Sequence, residues 1–259
     1  MQTEVKDVKK EELVQELFKI GAHFGYSRSS RHSSTKPFIF GFKNKTAIID
    51  LERTIEMLEV AKEFVFELGR SKKNLLLIGT KGEAKKIIKS LAESAGLPFV
   101  TERWIGGTLT NFKEIKKRVE RMEDLREKNE KGELSIYTKK ERGVIAKELR
   151  DLERYFDGIV GLNKFPGAVF VIDANYEEIA VAEAKKIKIP VISLCNSDCN
   201  ISQIEYPIVA NDSAISSISY FTKQIVEAYK KGLATAPEES KKEEKKENEK
   251  DKIDDKKPE

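Results

Sequence analysis

The stretch NLLLIGTKGEAKKIIKSLAESAGLPFVT, residues 74–101, decides the fold class. Residues 75–78 are apolar without a break, which is the signature of a strand covered on both faces rather than one face-up to water. Residues 83–94 then read as a helix, and Gly96 is placed to stop it. PFVT, residues 98–101, is a second short strand. A strand, a helix of this length and another strand make a βαβ unit, and such units are right-handed with parallel strands. The pattern returns further on. AVFVID (168–173) is a strand, YEEIAVAEAKKIKI (176–189) a helix, PVISL (190–194) a strand, and YPIV (206–209) a further candidate strand. DSAISSISYFTKQIVEAYKKG (212–232) closes the chain's ordered part as a helix, with Asn211 or Asp212 as its cap and Gly232 as its stop. The expected fold is α/β, a parallel sheet with helices on both faces.

Working outward toward the N-terminus, residues 9–20 form a short amphipathic helix with Leu13, Leu17 and Ile20 on one face and Gly21 behind it. Residues 21–37 read as a loop. FIFGFKNKTAIID (38–50) alternates and turns at Lys43-Asn44-Lys45, as a β-hairpin does. Residues 51–69 are a helix with Ile55, Leu58, Ala61, Val65 and Leu68 inward. One block breaks the alternation. Residues 111–131 place Ile115, Val119, Met122 and Leu125 at spacings of four, three and three, and residues 138–156 place Ile145, Leu149, Leu152 and Phe156 at four, three and four. Thr138 and Glu141 are set as a capping box. Two such stripes with a short connection predict an antiparallel coiled-coil hairpin. The expected organisation is an α/β core from residues 1–110 and 157–232, a hairpin inserted at 111–156, and a disordered charged tail at 233–259.

Composition bounds the function classes. The chain has 259 residues, 39% hydrophobic and 36% charged; the second figure exceeds the roughly 25% of ordinary globular chains, as a wet helical arm and a polar tail require. From Pro237 to Glu259 eight lysines face ten acidic residues, so the total of +4 divides into −2 for the tail and +6 for residues 1–236. A mildly basic body suits a polyanionic partner. The two cysteines, Cys195 and Cys199, make no disulfide framework. The N-terminal MQTEVKDVKK has no apolar core, and no apolar run reaches the ~20 residues of a membrane span. A soluble, cytoplasmic protein with no membrane partner is expected.

Candidate chemistry lies in four places. GAHFGYSRSSRHSSTKPFIFG (21–41) carries Arg28, Arg31 and Lys36 among serines and aromatic residues. Histidine beside serine suggests a hydrolase, but no G-x-S-x-G elbow is present. The basic and aromatic residues suggest a grip on RNA phosphates. Gly79-Thr80-Lys81-Gly82 follows the first core strand; it matches neither a dinucleotide fingerprint nor a P-loop, yet Lys81 can meet a phosphate of a substrate or of RNA. Asp173 is either a strand-end acid or the cap of the next helix. Cys195-x₃-Cys199 lacks the second ligand pair that zinc needs, so no metal or other cofactor is expected. Arg103-Trp104 leads into Gly106-Gly107, where a backbone can approach closely, and Lys113, Lys116 and Lys117 follow on the next helix. An α/β sugar-phosphate-binding enzyme domain remains the alternative; it requires a closed apolar pocket holding Lys81 and Asp173.

Several blocks carry a resemblance. GAHFG (21–25), KPFIFG (36–41), IIDLERT (48–54), LLLIGTKGEA (75–84), RWIGGTLTNF (103–112), FPGAVFVID (165–173), EIAVAEAKKIKIPVI (178–192) and NDSAISSI (211–218) are similar, in order, to the bacterial form of the universal ribosomal protein S-two family, from about residue 8 to 232. The resemblance implies a flavodoxin-like core with a coiled-coil hairpin and no catalysis. It further implies binding to 16S ribosomal RNA at the junction of head and body, and contact with neighbouring small-subunit proteins, including ribosomal protein S-one. RNA contact is then expected at residues 25–37, around Lys81 and from Arg103 to Lys117. Two departures stand out. His32-Ser33-Ser34 replaces the family's Trp-Asn-Pro, and Asn196–Ile201 replaces its D-T-N-x-D-P.

Overall fold

The computed structural model describes residues 2–236, with side chains from Lys10 onward. Two sheets organise it. After helix α1 (Gln2–Lys19), strands β1 (Phe24–Ser27), β2 (Ile39–Lys43) and β3 (Thr46–Ile49) form a small antiparallel sheet in the order β1-β3-β2. The β2–β3 hairpin turns on Asn44 and Lys45, both at positive φ, the backbone that a two-residue primed turn demands. Helix α2 (Leu51–Arg70) starts at Asp50, whose carboxylate accepts from Glu52 N.

The second sheet is parallel. Strands β4 (Leu75–Ile78), β5 (Phe99–Val100), β6 (Ala168–Ile172), β7 (Val191–Cys195) and β8 (Tyr206–Val209) lie in the order β5-β4-β6-β7-β8. Counted from the first core strand this is 2-1-3-4-5, the strand order of flavodoxin-like doubly wound folds. The uninterrupted apolar runs are explained by the two cores. Leu75, Leu77, Phe170, Ile172 and Leu194 point into one, with α2, α3 (Gly82–Ala95) and the last helix, while Leu76, Ile78, Val169, Val171 and Val191 point into the other. That second core takes the inner rows of α4 (Phe112–Glu130), α5 (Lys139–Phe156) and α6 (Glu178–Lys186). A period of two on a sheet buried on both sides leaves no polar face to show in the sequence.

Helices α4 and α5 each place an apolar row inward: Ile115, Val119, Met122 and Leu125 on the first, Leu149 and Phe156 on the second, with Ile145 and Leu152 half-buried. The Thr138–Glu141 capping box closes as the sequence requires. Ion pairs from Arg121 to Glu148 and from Arg126 to Glu153 join the two helices. Phe112, at the start of α4, meets Phe165 just ahead of β6.

Four expectations need correction. The helix after β6 is shorter than residues 176–189: it ends at Lys186, because Lys188 adopts positive φ and turns the chain into β7. The final helix, α7 (Ile215–Ala234), passes through Gly232 instead of stopping there. Gly232 is a packing residue: a Cβ on it would overlap the Phe66 carbonyl, and one on Gly69 would overlap the Tyr229 carbonyl. Helices α2 and α7 therefore touch backbone to backbone. Residues 21–37 are not an open loop, since β1 and two short 3₁₀ turns (Arg28–Ser30 and Ser33–Phe38) occupy most of the stretch. The expected tail at 233–259 starts too early, because α7 continues to Ala234; residues 237–259 lie outside the described residues.

Candidate nucleic-acid interface

Parallel strands put every loop that follows a strand on the same edge of the sheet. Residues 79–81, 101–111, 173–177, 196–201 and 210–213 therefore share the carboxyl edge. The segment after β1 is held against that edge. His32 N donates to Ser197 O at 2.9 Å, buried Thr35 Oγ1 donates to the same carbonyl at 2.8 Å, and Tyr26 N donates to Ser197 Oγ at 2.9 Å. Ser34 Oγ accepts from Ile201 N, and its hydroxyl is also bonded to His32 Nδ1. Segments 32–34 and 196–201 are thus in direct contact. His32 and Ser34 fix the segment by hydrogen bonds to the Ser197–Ile201 turn.

This scaffold presents a basic, aromatic face. The guanidinium groups of Arg28 and Arg31 lie over the ring of Phe42, at 5.4 and 5.8 Å from its centroid. The Arg31 Nε is buried without a hydrogen-bond partner among the described residues. Phe42 and Phe40 are exposed at 41% and 82%, and Lys36, Lys43 and Lys45 are exposed beside them. His23 lies at the root, buried between Phe18 (centroids 4.1 Å, stacked) and Phe24. Burial holds its imidazole below the ordinary histidine range.

Lys81 stands apart. Its ammonium donates to Asp173 Oδ2 at 3.1 Å, Ser213 Oγ at 3.2 Å and Tyr26 Oη at 3.3 Å, and lies 3.5 Å from Asp212. Burial works against its charge, but Asp212 and Asp173 more than compensate, and it titrates above the ordinary lysine range. The side chain is only 15% exposed, so its charge is balanced inside the protein and is not offered to a phosphate. Asp173 both pairs with Lys81 and caps the next turn, accepting from Tyr176 N at 3.0 Å. The two groups are in direct contact, without the apolar pocket between them that the sugar-phosphate enzyme reading requires. Asp212, fully buried, is pushed up to about 6 by burial and by the neighbouring Asp173. Cys195 and Cys199 are both free and buried. Among the described residues no group of three His, Cys, Asp or Glu side chains is arranged for a metal.

The glycine-rich turn has its own anchor. Buried Glu183 of α6 accepts from the N–H groups of Gly107 (2.7 Å), Leu109 (3.0 Å) and Thr110 (3.1 Å), from Thr110 Oγ1 and from the Trp104 indole. Burial alone would raise this carboxyl; the converging N–H donors reverse that, and it titrates below the usual glutamate range. Gly107 sits at φ 92°, a backbone that side chains avoid. The turn delivers Arg103 to the surface with no ion-pair or hydrogen-bond partner among the described residues. Lys113, Lys116 and Lys117 are exposed on the first turns of α4, where Lys117 pairs with Glu114 at 2.7 Å.

The family model described as Ribosomal protein S2 matches residues 17–232, the whole of this scaffold apart from most of α1. The chain belongs to the ribosomal protein S2 family. It is 38% identical over 219 residues to the small ribosomal subunit protein uS2 of Coprothermobacter proteolyticus, covering 85% of this chain and 82% of the relative. The uS2 of Geotalea uraniireducens is 38% identical over 219 residues, covering 85% and 86%. That of Helicobacter pylori (strain P12) is 37% identical over 226 residues, covering 87% and 86%. Membership in the S2 family makes the chain a structural component of the small ribosomal subunit that serves translation, and not an enzyme. Among the described residues no helix is long and apolar enough to cross a membrane.

Within this S2-family chain, the sequence-derived basic residues divide into three sets. Arg28 and Arg31 gather on Phe42, with Lys36 on the adjoining turn; Arg103, Lys113, Lys116 and Lys117 follow β5 on the same edge; Lys81 is internal. Sequence reading missed Phe42, Lys43 and Lys45, although the alternation FIFGFK already put Phe40 and Phe42 on one face. It also missed Glu183, an acid on the inward face of a helix beside Ala180 and Ala184. A carboxylate at a core position is a signal that a set of donors awaits it.

Proposed function

We propose that this S2-family chain binds 16S ribosomal RNA at the junction of head and body, through the carboxyl edge of its sheet, and helps to hold ribosomal protein S-one there. The observation that carries the RNA reading is the pair of guanidinium groups stacked on exposed Phe42. Arg on an aromatic ring, with exposed Lys36 on the adjoining turn and exposed Lys43 and Lys45 at the β2–β3 hairpin, suits phosphates together with unstacked bases. Arg103, Lys113, Lys116 and Lys117 extend the basic edge toward α4. Helices α4 and α5 act as a coiled-coil arm, inserted at residues 111–156 into a core of residues 1–110 and 157–232. Its end carries Ile136 and Tyr137, exposed at 82% and 42%, which suits contact with neighbouring proteins. The site lies in the ribosome of the cytoplasm.

The test is RNA binding as a function of salt. Changing Arg28, Arg31 and Lys36 together to Ala should flatten the log–log salt slope by about 0.7–0.9 for each phosphate that is no longer neutralised. An unchanged slope removes this segment from the interface. Small subunits depleted of this chain should also lose S-one on sucrose gradients; full retention of S-one refutes that part of the reading.

A further inference from the structure

We propose that the open cleft at the carboxyl ends of β4 and β6 is a site for a ribonucleotide, a base and ribose carrying a phosphate. The inference shares Arg103 with the rRNA surface above but rests on the cleft, and stands even if the surface around Phe42 is wrong. The cleft measures about 490 Å³, within the range of small-ligand sites. It lies where the strand order reverses, between the first and third core strands, which is where open parallel sheets hold ligands.

Three features of its wall point to this chemistry. The first is cationic. Arg103 lines the cleft with no partner of its own among the described residues, whereas Lys85 and Arg154 share one carboxylate, Glu102, at 2.9 and 3.4 Å. Three cations against two carboxylates, half-buried Glu102 and buried Glu177, leave positive charge for a phosphate. The second is aromatic: Tyr155 and Tyr176 line the cleft, and Tyr176 is 62% exposed with no ring partner among the described residues. Such rings stack a base without regard to its identity. The third is Glu177, 4% exposed and outside the rRNA surface. Its Oε1 accepts from Thr80 N at 2.8 Å and from Thr80 Oγ1, while Oε2 has no hydrogen-bond partner among the described residues. A buried carboxylate with a spare acceptor beside a phosphate site suits the hydroxyls of a ribose. Burial raises the Glu177 carboxyl, with Thr80 opposing, so an incoming hydroxyl donor would be met by a group in need of one.

The same chemistry has two sources, a free nucleotide or a nucleotide within RNA, and one experiment separates them. The full chain is titrated calorimetrically with AMP, CMP, 2′-deoxy-AMP, inorganic phosphate and a five-nucleotide single-stranded RNA. Trp104, the only tryptophan, lines the cleft and gives a second readout by fluorescence. Saturable binding of AMP and CMP is expected, weaker binding of the deoxynucleotide, and loss of about tenfold or more in affinity in R103A. E177Q should erase the preference for ribose while leaving the deoxynucleotide unchanged. Y176L, at an exposed position that cannot unfold the core, should weaken nucleotides but not phosphate. If mononucleotides bind and the RNA does not displace them, the ligand is free. If the RNA binds tighter and displaces them, it is a chain nucleotide. Phosphate binding as well as AMP, or titrations indifferent to R103A, E177Q and Y176L, overturn the proposal.

Discussion

Replacing Asp212 with Asn should stabilise this protein at neutral pH and leave it unchanged near pH 4. Asp212 is fully buried, and its carboxylate faces Lys81 at 3.5 Å. One oxygen accepts from Asn196 Nδ2 at 2.9 Å; the other, Oδ2, has no partner among the described residues. Burial and the neighbouring Asp173 push the group from 3.8 up to about 6. A carboxyl raised in the folded state favours folding while it is protonated. That contribution is fully present below the unfolded value near 3.8 and is lost as pH rises through the folded value near 6. The difference corresponds to about 3 kcal/mol. Asparagine imitates the protonated acid: its oxygen can keep the bond from Asn196, and its amide can donate toward Asp173 as the acid proton would. The measurement is urea unfolding of both proteins at pH 4, 5, 6, 7 and 8, followed by Trp104 fluorescence. The variant should gain up to about 3 kcal/mol over the wild type between pH 4 and 7, with the whole change inside that window. A difference that does not vary with pH, or a variant weaker at pH 7, would show that Lys81 repays the burial of Asp212 in full and would refute the reasoning.

Other expected outcomes follow from single contacts. G232A forces α2 and α7 apart at the Phe66 carbonyl and should cost about 1–3 kcal/mol in thermal unfolding, whereas G41A, which meets nothing within 4 Å, should change stability by less than about 0.5 kcal/mol. T35V removes one of the two donors to the Ser197 carbonyl, leaving His32 N, and should cost about 1 kcal/mol; salt-dependent RNA binding should weaken with it if that anchor presents Arg28 and Arg31. E183Q gives the Gly107, Leu109 and Thr110 amides a neutral acceptor with half the oxygens, so it should cost about 2–4 kcal/mol at pH 7 and shift Trp104 emission to the red. Because the Glu183 carboxyl titrates below the usual range, the wild type should lose that advantage only as pH falls below the ordinary glutamate value, and the two proteins should converge in acid.

The parallel sheet was legible because a strand buried on both faces announces itself within four residues. Leu75–Ile78, Ala168–Ile172 and Val191–Cys195 need no partner to be read. The capping box at Thr138 and Glu141 is local in the same sense. Gly232 misled because a glycine near a helix end has two physical uses, ending the helix or admitting a second backbone, and only the position of Phe66, far away in sequence, separates them. The candidate site was legible in type and not in arrangement. Arg28 and Arg31 were visible as charge, but the ring they share belongs to β2 and reaches them through the β1–β3–β2 pairing. Lys81 was visible as a lysine in a strand–helix turn, but the acids that neutralise it are 92 and 131 positions further on.

Those long-range partners also explain how the edge is built. Lys81 ties β4 to the turns after β6 and β8, Glu183 ties α6 to the turn after β5, and Ser197 ties the turn after β7 to the segment after β1. Each strand of the parallel sheet thus has its following loop fixed by a buried polar group from another element. Burying charge this way gives little net stability, and its use here is geometric. A surface that must match a folded RNA needs loops that do not reorganise on binding, since ordering them at that moment would cost affinity. On that account the internal residues Lys81, Glu183 and Asp212 hold the loops of the edge in place, as the Thr35–Ser197 contact holds the segment that carries exposed Arg28 and half-buried Arg31.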